Sequence, residues 1–408
     1  MIISNQGQVN KKVLYAQAVF DEREKQAVIE TLENGWLASG REVENFELHC
    51  KILFNKDFSL AVNSGSSANL VGLSALELPK GTPVITPATT FATTVSSAIQ
   101  AGYKPIFVDS VIGRYTINED LVEAAIDTHS KNSQGIIMVP QLIGGVCDME
   151  KLRRIADKYN WYLFDDSCDT FAPRLRGRTV ASYADISTTS FYGSHIITAM
   201  GMGGMLFTDK QWIIDNAKII RDWGRVGNDS EDFNTRFDFE IDGIPYDSKF
   251  LYSKLGYNLK MTEAAAAFGL VQLEKLPDFT ERRQKNFNTL REYFTKYEKW
   301  FYLPYLVEGA STNWLAFPLT VRKKAPFKRY DLLKHLEAKG IQTRVLFSGN
   351  ITRHPLYSKV GIDYKISGSL DNADEIMASG FLLGCHQGID DNKLQYMIDS
   401  LEEYFDKI

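Results

Sequence analysis

The sequence predicts an α/β protein: a mostly parallel, doubly wound sheet followed by a smaller C-terminal α/β unit. Two observations carry this. Across residues 58–275, apolar runs of strand length alternate with stretches of helical periodicity. From Trp314 onward the pattern restarts as strand, helix, strand. A βαβα rhythm joins parallel strands through helices that cover both faces of the sheet. The length, 408 residues, is enough for two or three domains. With 44% apolar and 24% charged residues the chain has the balance of an ordinary globular protein, which excludes a disordered or fibrous one.

The elements follow in order. Phe58–Asn63 (FSLAVN) reads as a buried strand, and Ser67–Leu76 follows at helical spacing. Pro83–Thr86 is a strand, Phe91–Ala101 a helix and Pro105–Asp109 a strand. Asp120–Ile126 is a helix, Gly135–Pro140 a strand, Met149–Tyr159 a helix and Trp161–Asp165 a strand. Val226–Asp247 is rich in Asp and Asn, lacks periodicity and reads as a long excursion. Thr262–Leu276 is Ala-rich with an acidic first turn, a strong helix signal. Pro277 ends or interrupts it, and Phe279–Glu298 is a second long helix. Leu315–Val321, Tyr330–Gly340 and Ile341–Phe347 then read as strand, helix and strand, and residues 372–406 add two helical segments. The expected division is a large domain over 1–277 and a small one over 278–408.

Several function classes are excluded early. The formal net charge of −5 argues against a nucleic-acid footprint. No apolar run approaches the roughly 18 residues of a membrane span. The opening MIISNQGQVNKKVLY lacks the apolar core of a signal peptide, so a cytoplasmic location is expected. Cys50, Cys147, Cys168 and Cys385 are scattered with no CxxC pair, so free thiols and no metal module are expected.

In open α/β sheets, ligands gather beyond the carboxyl ends of the strands, so polar residues there carry weight. Ser64–Asn69 (SGSSAN) follows a strand and opens a helix. Its amides and hydroxyls suit a phosphate, although a plain serine cap explains the segment taken alone. It matches neither a Walker loop nor GxGxxG. Phe164–Asp169 (FDDSCD) puts three carboxylates within five residues. They need cationic partners if buried, a protonated heteroaromatic nitrogen among them, and none if the strand end is solvated. Ser190–His195 (SFYGSH) runs into the glycine turn Gly201–Gly204. A lone histidine is more often structural than catalytic, yet this one lies at a strand end and titrates near neutrality.

Together with Gly35–Gly40, Pro87–Phe91 (PATTF), Gly256–Leu276 and Arg344–Arg353, these segments fall in one register. Over nearly its whole length the chain resembles the DegT/DnrJ/EryC1/StrS sugar aminotransferases of pyridoxal-phosphate (PLP) fold type I. The resemblance implies a large doubly wound domain, a small C-terminal domain and a homodimer with shared active sites. It implies that Gly65, Ser66, Ser67 and Ser190 cradle the cofactor phosphate and that Phe91 stacks on the pyridine ring. It further implies that Asp166 faces the ring nitrogen, that Asp169 lies near the phenolic oxygen, and that Asn258 reaches the neighbouring subunit's phosphate.

The informative departure is His195. The family's transaminases carry at this position the lysine that forms an imine with the cofactor aldehyde; imidazole cannot form one. The substitution resembles the sugar 3-dehydratases, which use pyridoxamine 5'-phosphate held without a covalent link. For them the resemblance implies a nucleotide-diphosphate 4-keto-6-deoxysugar as substrate, proton transfer by His195, loss of the C-3 hydroxyl, and glutamate as the amino donor that regenerates the cofactor. One branch of these enzymes carries an iron–sulfur cluster held by four cysteines. Cys168 matches one of them, but Val226–Phe239 holds no cysteine, so no iron–sulfur cluster is expected. Tyr192, Arg344 and Arg353 are candidates for the sugar–diphosphate pocket, with surface ion pairing as the alternative for the arginines. Met202 stands where relatives carry Glu. The competing readings are an aminotransferase-like protein acting on another keto sugar and a non-catalytic cofactor-binding relative.

Overall fold

The computed structural model describes residues 12–130, 133–226 and 231–408. The first eleven residues, which carry most of the reading of the N-terminus, lie outside the described residues, as do residues 227–230 of the cysteine-free segment.

The central sheet has eight strands. In chain order they begin with β1 (Phe58–Val62), β2 (Pro83–Pro87), β3 (Lys104–Val108), β4 (Ile136–Pro140), β5 (Tyr162–Asp166), β6 (Ile186–Ser190) and β7 (Gly204–Thr208). Four further strands lie later: β8 (Phe301–Tyr302), β9 (Phe317–Val321), β10 (Arg344–Val345) and β11 (Lys365–Ile366). A last strand is β12 (Gly380–Leu383). The order across the central sheet is β1-β7-β6-β5-β4-β2-β3-β11. All neighbours pair in parallel except those of β7, which runs against both β1 and β6. Every residue of β4, β6 and β7 is buried, as a sheet covered on both faces requires. Val71, Leu73 and Leu206 pack on one face; Ile137, Leu152 and Ile155 pack on the other. Among the described residues no helix is long and apolar enough to cross a membrane.

Most expected elements appear within a residue or two. The exceptions have local causes. β7 begins inside the glycine-rich turn and has no flanking strand signal. The helices Glu22–Asn34 and Arg41–Phe54 precede the rhythm from which the fold was read. Pro277 lies in the first turn of the helix Leu276–Thr295, where a missing N–H costs nothing, and so begins that helix rather than interrupting one. The strand expected over Ile341–Phe347 narrows to β10, and β12 separates the two C-terminal helices, Asp371–Ser379 and Asp391–Phe405. The excursion after Val226 holds the short helix Phe233–Arg236 and a two-residue ladder.

A second, wholly antiparallel sheet has the order β8-β9-β12-β10. It is tied to the rest from both sides. Val13 bridges Ile341, and β11 returns to extend the central sheet at β3. The carboxyl ends of β1, β2, β4, β5 and β6 therefore point the same way, and Arg344 and Val345 of the second sheet share a cavity with residues at those ends.

Candidate active site

A cavity of about 720 Å³ lies at these strand ends. The structure brings Gly65, Ser66, Phe91, Asp166, Asp169, Ser190, Tyr192, His195 and Arg344 onto its wall. It does not bring Ser67, Asn258 or Arg353 there.

Within Ser64–Asn69 the serines differ in what they do. Ser64 is the N-cap of the helix Gly65–Ala75: its hydroxyl accepts the Ser67 amide at 3.1 Å. Ser67 turns inward and donates to Asn63 Oδ1 at 2.6 Å, which takes it off the wall. Gly65 and Ser66 remain at the positive end of the helix, facing the cavity. A side chain at Gly65 would have no room, because its Cβ would stand 2.6 Å from Cys168 Sγ and 2.7 Å from Ser190 Cβ.

The carboxylates at the end of β5 are buried, which excludes the solvated reading. Among the described residues none of the three is ion-paired to a lysine or arginine. Asp165 is buried off the cavity wall, accepting from Gln141 Nε2 and Ser167 Oγ at 2.9 Å, and burial pushes it up to about 7. Asp166 faces the cavity with three donors fixing it: Asn69 Nδ2 at 2.8 Å, Thr94 Oγ1 at 2.7 Å and the Cys168 amide at 3.2 Å. Asp169 accepts the Ile143 amide at 3.0 Å; burial, and secondarily the charge of Asp166, pushes it up to about 7.

His195 is half-buried on the wall, edge-on to the Tyr192 ring. Its Nδ1 lies 3.3 Å from the Ser190 carbonyl. A carbonyl can only accept, so Nδ1 carries the proton and Nε2 keeps a free lone pair. Burial holds the imidazole down at about 4, so it is neutral at pH 7. Phe91, half-exposed, meets Phe347 edge-on at 5.5 Å. Met202 and Gly203 complete this side of the wall.

Arg344 reaches the wall from β10, its guanidinium 5.6 Å from the Tyr15 ring centre. Arg353 does not: it is exposed and bonded to the Asp374 carboxylate, so the ion-pair alternative holds for that arginine. Asn258 is exposed, outside the cavity, bridged to Asp222. Sequence reasoning missed Tyr15, Thr93, Thr94 and Leu315, which line the cavity. Tyr15 had no signal at all; the threonines sit one turn past a segment already marked.

The model of the DegT/DnrJ/EryC1/StrS aminotransferase family matches residues 19–402. The lipopolysaccharide biosynthesis protein RfbH of Salmonella typhimurium is 38% identical, over 95% of this chain and 90% of its own. The dTDP-4-dehydro-2,6-dideoxy-D-glucose 3-dehydratase of Saccharopolyspora spinosa is 35% identical, over 96% of this chain and 86% of its own. Among solved structures, E. coli GDP-4-keto-6-deoxy-D-mannose-3-dehydratase with bound hydrated PLP superposes with a TM-score of 0.85. It is 25% identical, and the match covers 96% of this chain and all of that one. The fold expected from the sequence, that of the PLP-dependent aminotransferases, is the fold observed.

Proposed function

The chain belongs to the DegT/DnrJ/EryC1/StrS aminotransferase family, and from that premise we propose that it is a pyridoxamine-phosphate-dependent 3-dehydratase of a nucleotide-linked 4-keto-6-deoxyhexose. One observation carries the reading. Among the described residues no lysine lines the cavity, and the base on its wall is the neutral imidazole of His195. An aminotransferase of this fold needs a lysine there. The 3-dehydratases of Saccharopolyspora spinosa and E. coli, both similar to this chain, support the same reading.

The residues fit the cofactor. Gly65 and Ser66 bring the amide end of their helix to the cavity beside the Ser190 hydroxyl, and Gly65 packs against Cys168 and Ser190 too closely to carry a side chain. Asp166 is a fixed, buried carboxylate without a cation, as a protonated ring nitrogen demands. When bound, the cofactor supplies an amine for a sugar ketone and a ring that accepts electrons.

Each residue then has a defined task. Gly65, Ser66 and Ser190 bind the phosphate, and Phe91 covers the ring. Asp166 holds the proton on the ring nitrogen, and Asp169 meets the phenolic oxygen. His195 Nε2 takes a proton beside the ring and delivers it to the departing C-3 oxygen, one imidazole serving as base and then acid. Tyr192 and Arg344 receive the sugar diphosphate. Asn258 serves the partner's phosphate in a homodimer; Leu255, three residues away and almost wholly exposed, supports an apolar contact there. Glutamate restores the amine. With no cysteine in residues 226–239, Cys168 lacks the companions an iron–sulfur cluster needs. The product is a 4-keto-3,6-dideoxysugar of the kind surface polysaccharides incorporate.

The test is incubation of the PLP-loaded protein with glutamate and GDP-, CDP- or dTDP-linked 4-keto-6-deoxyhexose, followed by mass spectrometry. Loss of the C-3 oxygen from one of them is expected. An amino sugar retaining that oxygen would replace this reading with aminotransfer, and an unchanged sugar in every case would leave a non-catalytic relative.

A further inference from the structure

Arg283 is fully buried beneath the cavity, on the helix Leu276–Thr295. Among the described residues its guanidinium meets no carboxylate. Its hydrogen bonds go to neutral oxygens: Gln387 Oε1 at 2.7 Å, the Trp314 carbonyl at 2.9 Å, the Leu315 carbonyl at 3.1 Å and the His195 carbonyl at 3.3 Å. A buried cation without a counter-charge is expensive, and a packed apolar side chain of similar volume serves stability as well or better. The arrangement therefore calls for a reason other than stability.

Two of these acceptors lead into the site. The first is the carbonyl of His195 itself. Gln387, held by Arg283, strengthens the same link by donating to the Ile196 carbonyl at 3.2 Å. The second is Leu315, whose amide donates to the Ile143 carbonyl at 2.9 Å. Ile143 in turn donates its amide to Asp169 Oδ2. It does so from a φ of 61°, a strained conformation for a β-branched residue that persists only where neighbours enforce it. One guanidinium thus reaches the backbone behind both His195 and Asp169.

Taking the proposed proton-carrying role of His195 as its premise, we infer that Arg283 is a positioning residue: it locks the His195 loop and the Ile143 turn that holds Asp169 into one unit, and so fixes the base against the cofactor pocket. Its charge has a second effect. Burial chiefly, and the Arg283 charge after it, keep the imidazole unprotonated, against the pull of the Ser190 carbonyl. The other titratable groups on the cavity wall with His195 are Tyr192 on its own loop, Asp166 at the end of β5, Cys168 and Asp169 just after it, and Tyr15 and Arg344. Tyr15, Cys385 and His386 are within electrostatic reach of Arg283. Of the charged side chains, Arg283 is the one bonded to the His195 backbone.

The test uses the full chain loaded with PLP, with Arg283→Gln and Arg283→Lys. The His195 imidazole is titrated by NMR in histidine-labelled protein, its signal identified by its loss in His195→Asn. Amide exchange is followed over residues 190–204. Arg283→Gln is expected to raise the His195 midpoint by about one pH unit, a roughly tenfold gain in proton affinity, and to speed exchange in that segment about tenfold. Arg283→Lys is expected to keep the midpoint near the parent value, since it keeps the charge, and to show the faster exchange, since an ammonium cannot span four acceptors. A merely structural Arg283 would lower Tm while leaving titration and exchange in the folded protein unmoved, and that result overturns the inference. If Arg283→Gln does not fold, parental exchange in Arg283→Lys overturns it equally. Neither readout needs turnover, so a failure of the dehydratase reading is seen separately, in the sugar incubations.

Discussion

Asn69 Nδ2 donates to Asp166 Oδ2 over 2.8 Å, joining a helix end to a strand end 97 residues further along the chain. Asn69 is itself oriented by Thr188, whose hydroxyl donates to Asn69 Oδ1 at 2.6 Å. The amide therefore cannot flip without losing two bonds, and the carboxylate it holds is aimed before any ligand arrives.

This predicts a binding defect rather than a folding defect in Asn69→Ala. Thr94 and the Cys168 amide still hold Asp166, so the chain folds. A lost hydrogen bond to a charged group is worth about 1.5–3 kcal/mol. Spectrophotometric titration of the cofactor-free protein with PLP should show affinity reduced by roughly ten- to hundredfold. Unchanged affinity would mean that Asp166 does not face the ring nitrogen.

His195→Lys places a primary amine where the wall now offers an imidazole. The variant should form a covalent bond with the PLP aldehyde, seen as a shifted absorbance band and trapped on the protein by borohydride. The parent should release its cofactor intact after the same treatment. Sugar dehydration should disappear in the variant. If dehydration survives, His195 is not the proton carrier.

The two arginines proposed from the sequence should now separate. Arg344 lies on the cavity wall; among the described residues it has no carboxylate partner, and it donates only to the Thr343 carbonyl. Arg353 is engaged by Asp374 at the surface. Arg344→Ala should raise KM for the nucleotide sugar about tenfold or more, the loss of a charge-assisted contact to phosphate. Arg353→Ala should leave KM within about twofold and stability within about 1 kcal/mol, as for an exposed ion pair. Steady-state kinetics on the two variants decide it.

The contrast between these arginines shows where sequence reading stops. The strands and the polar residues at their ends are local signals. A short buried run such as Ile136–Pro140 or Tyr162–Asp166 declares itself, and its last residue necessarily faces the ligand edge. Gly65, Asp166, Ser190 and His195 were legible for that reason, and family resemblance then gave them tasks. What was not legible depends on partners distant in the chain. Arg353 resembled a phosphate ligand until Asp374, 21 residues on, was seen to hold it. Thr94 reaches Asp166 across 72 residues, and Arg283 reaches His195 across 88. Tyr15 enters the cavity because Val13 and Gln342 pin its segment to the second sheet, a pairing no periodicity announces. The carboxylates of FDDSCD were ambiguous because charge density alone does not report burial.

That burial gives Asp169 a pH signature. In the folded protein its carboxyl titrates at about 7 against an ordinary 3.8, first because of burial and second because of Asp166. Between those two values the native state keeps a proton that the unfolded chain has released. The stabilising contribution of that proton is complete below about 3.8 and is lost as pH rises toward 7; above 7 the native state carries a buried, unpaired charge. Asp169→Asn retains an acceptor for the Ile143 amide and has no charge to bury. Its stability relative to the parent should therefore be near parity at pH 4, grow through pH 5 and 6, and level off above about pH 7. At about 1.4 kcal/mol per pH unit the ceiling is about 4 kcal/mol, and water entering the cavity reduces the expected gain to about 1–3 kcal/mol. Urea unfolding of the cofactor-free proteins from pH 4 to 8 measures this directly. Asp165 titrates in the same direction in both proteins and cancels in the difference. A flat gain would mean that Asp169 titrates at its ordinary value in the folded protein, and a gain that shrinks with rising pH would mean that a cationic partner holds it ionised; either result overturns the prediction.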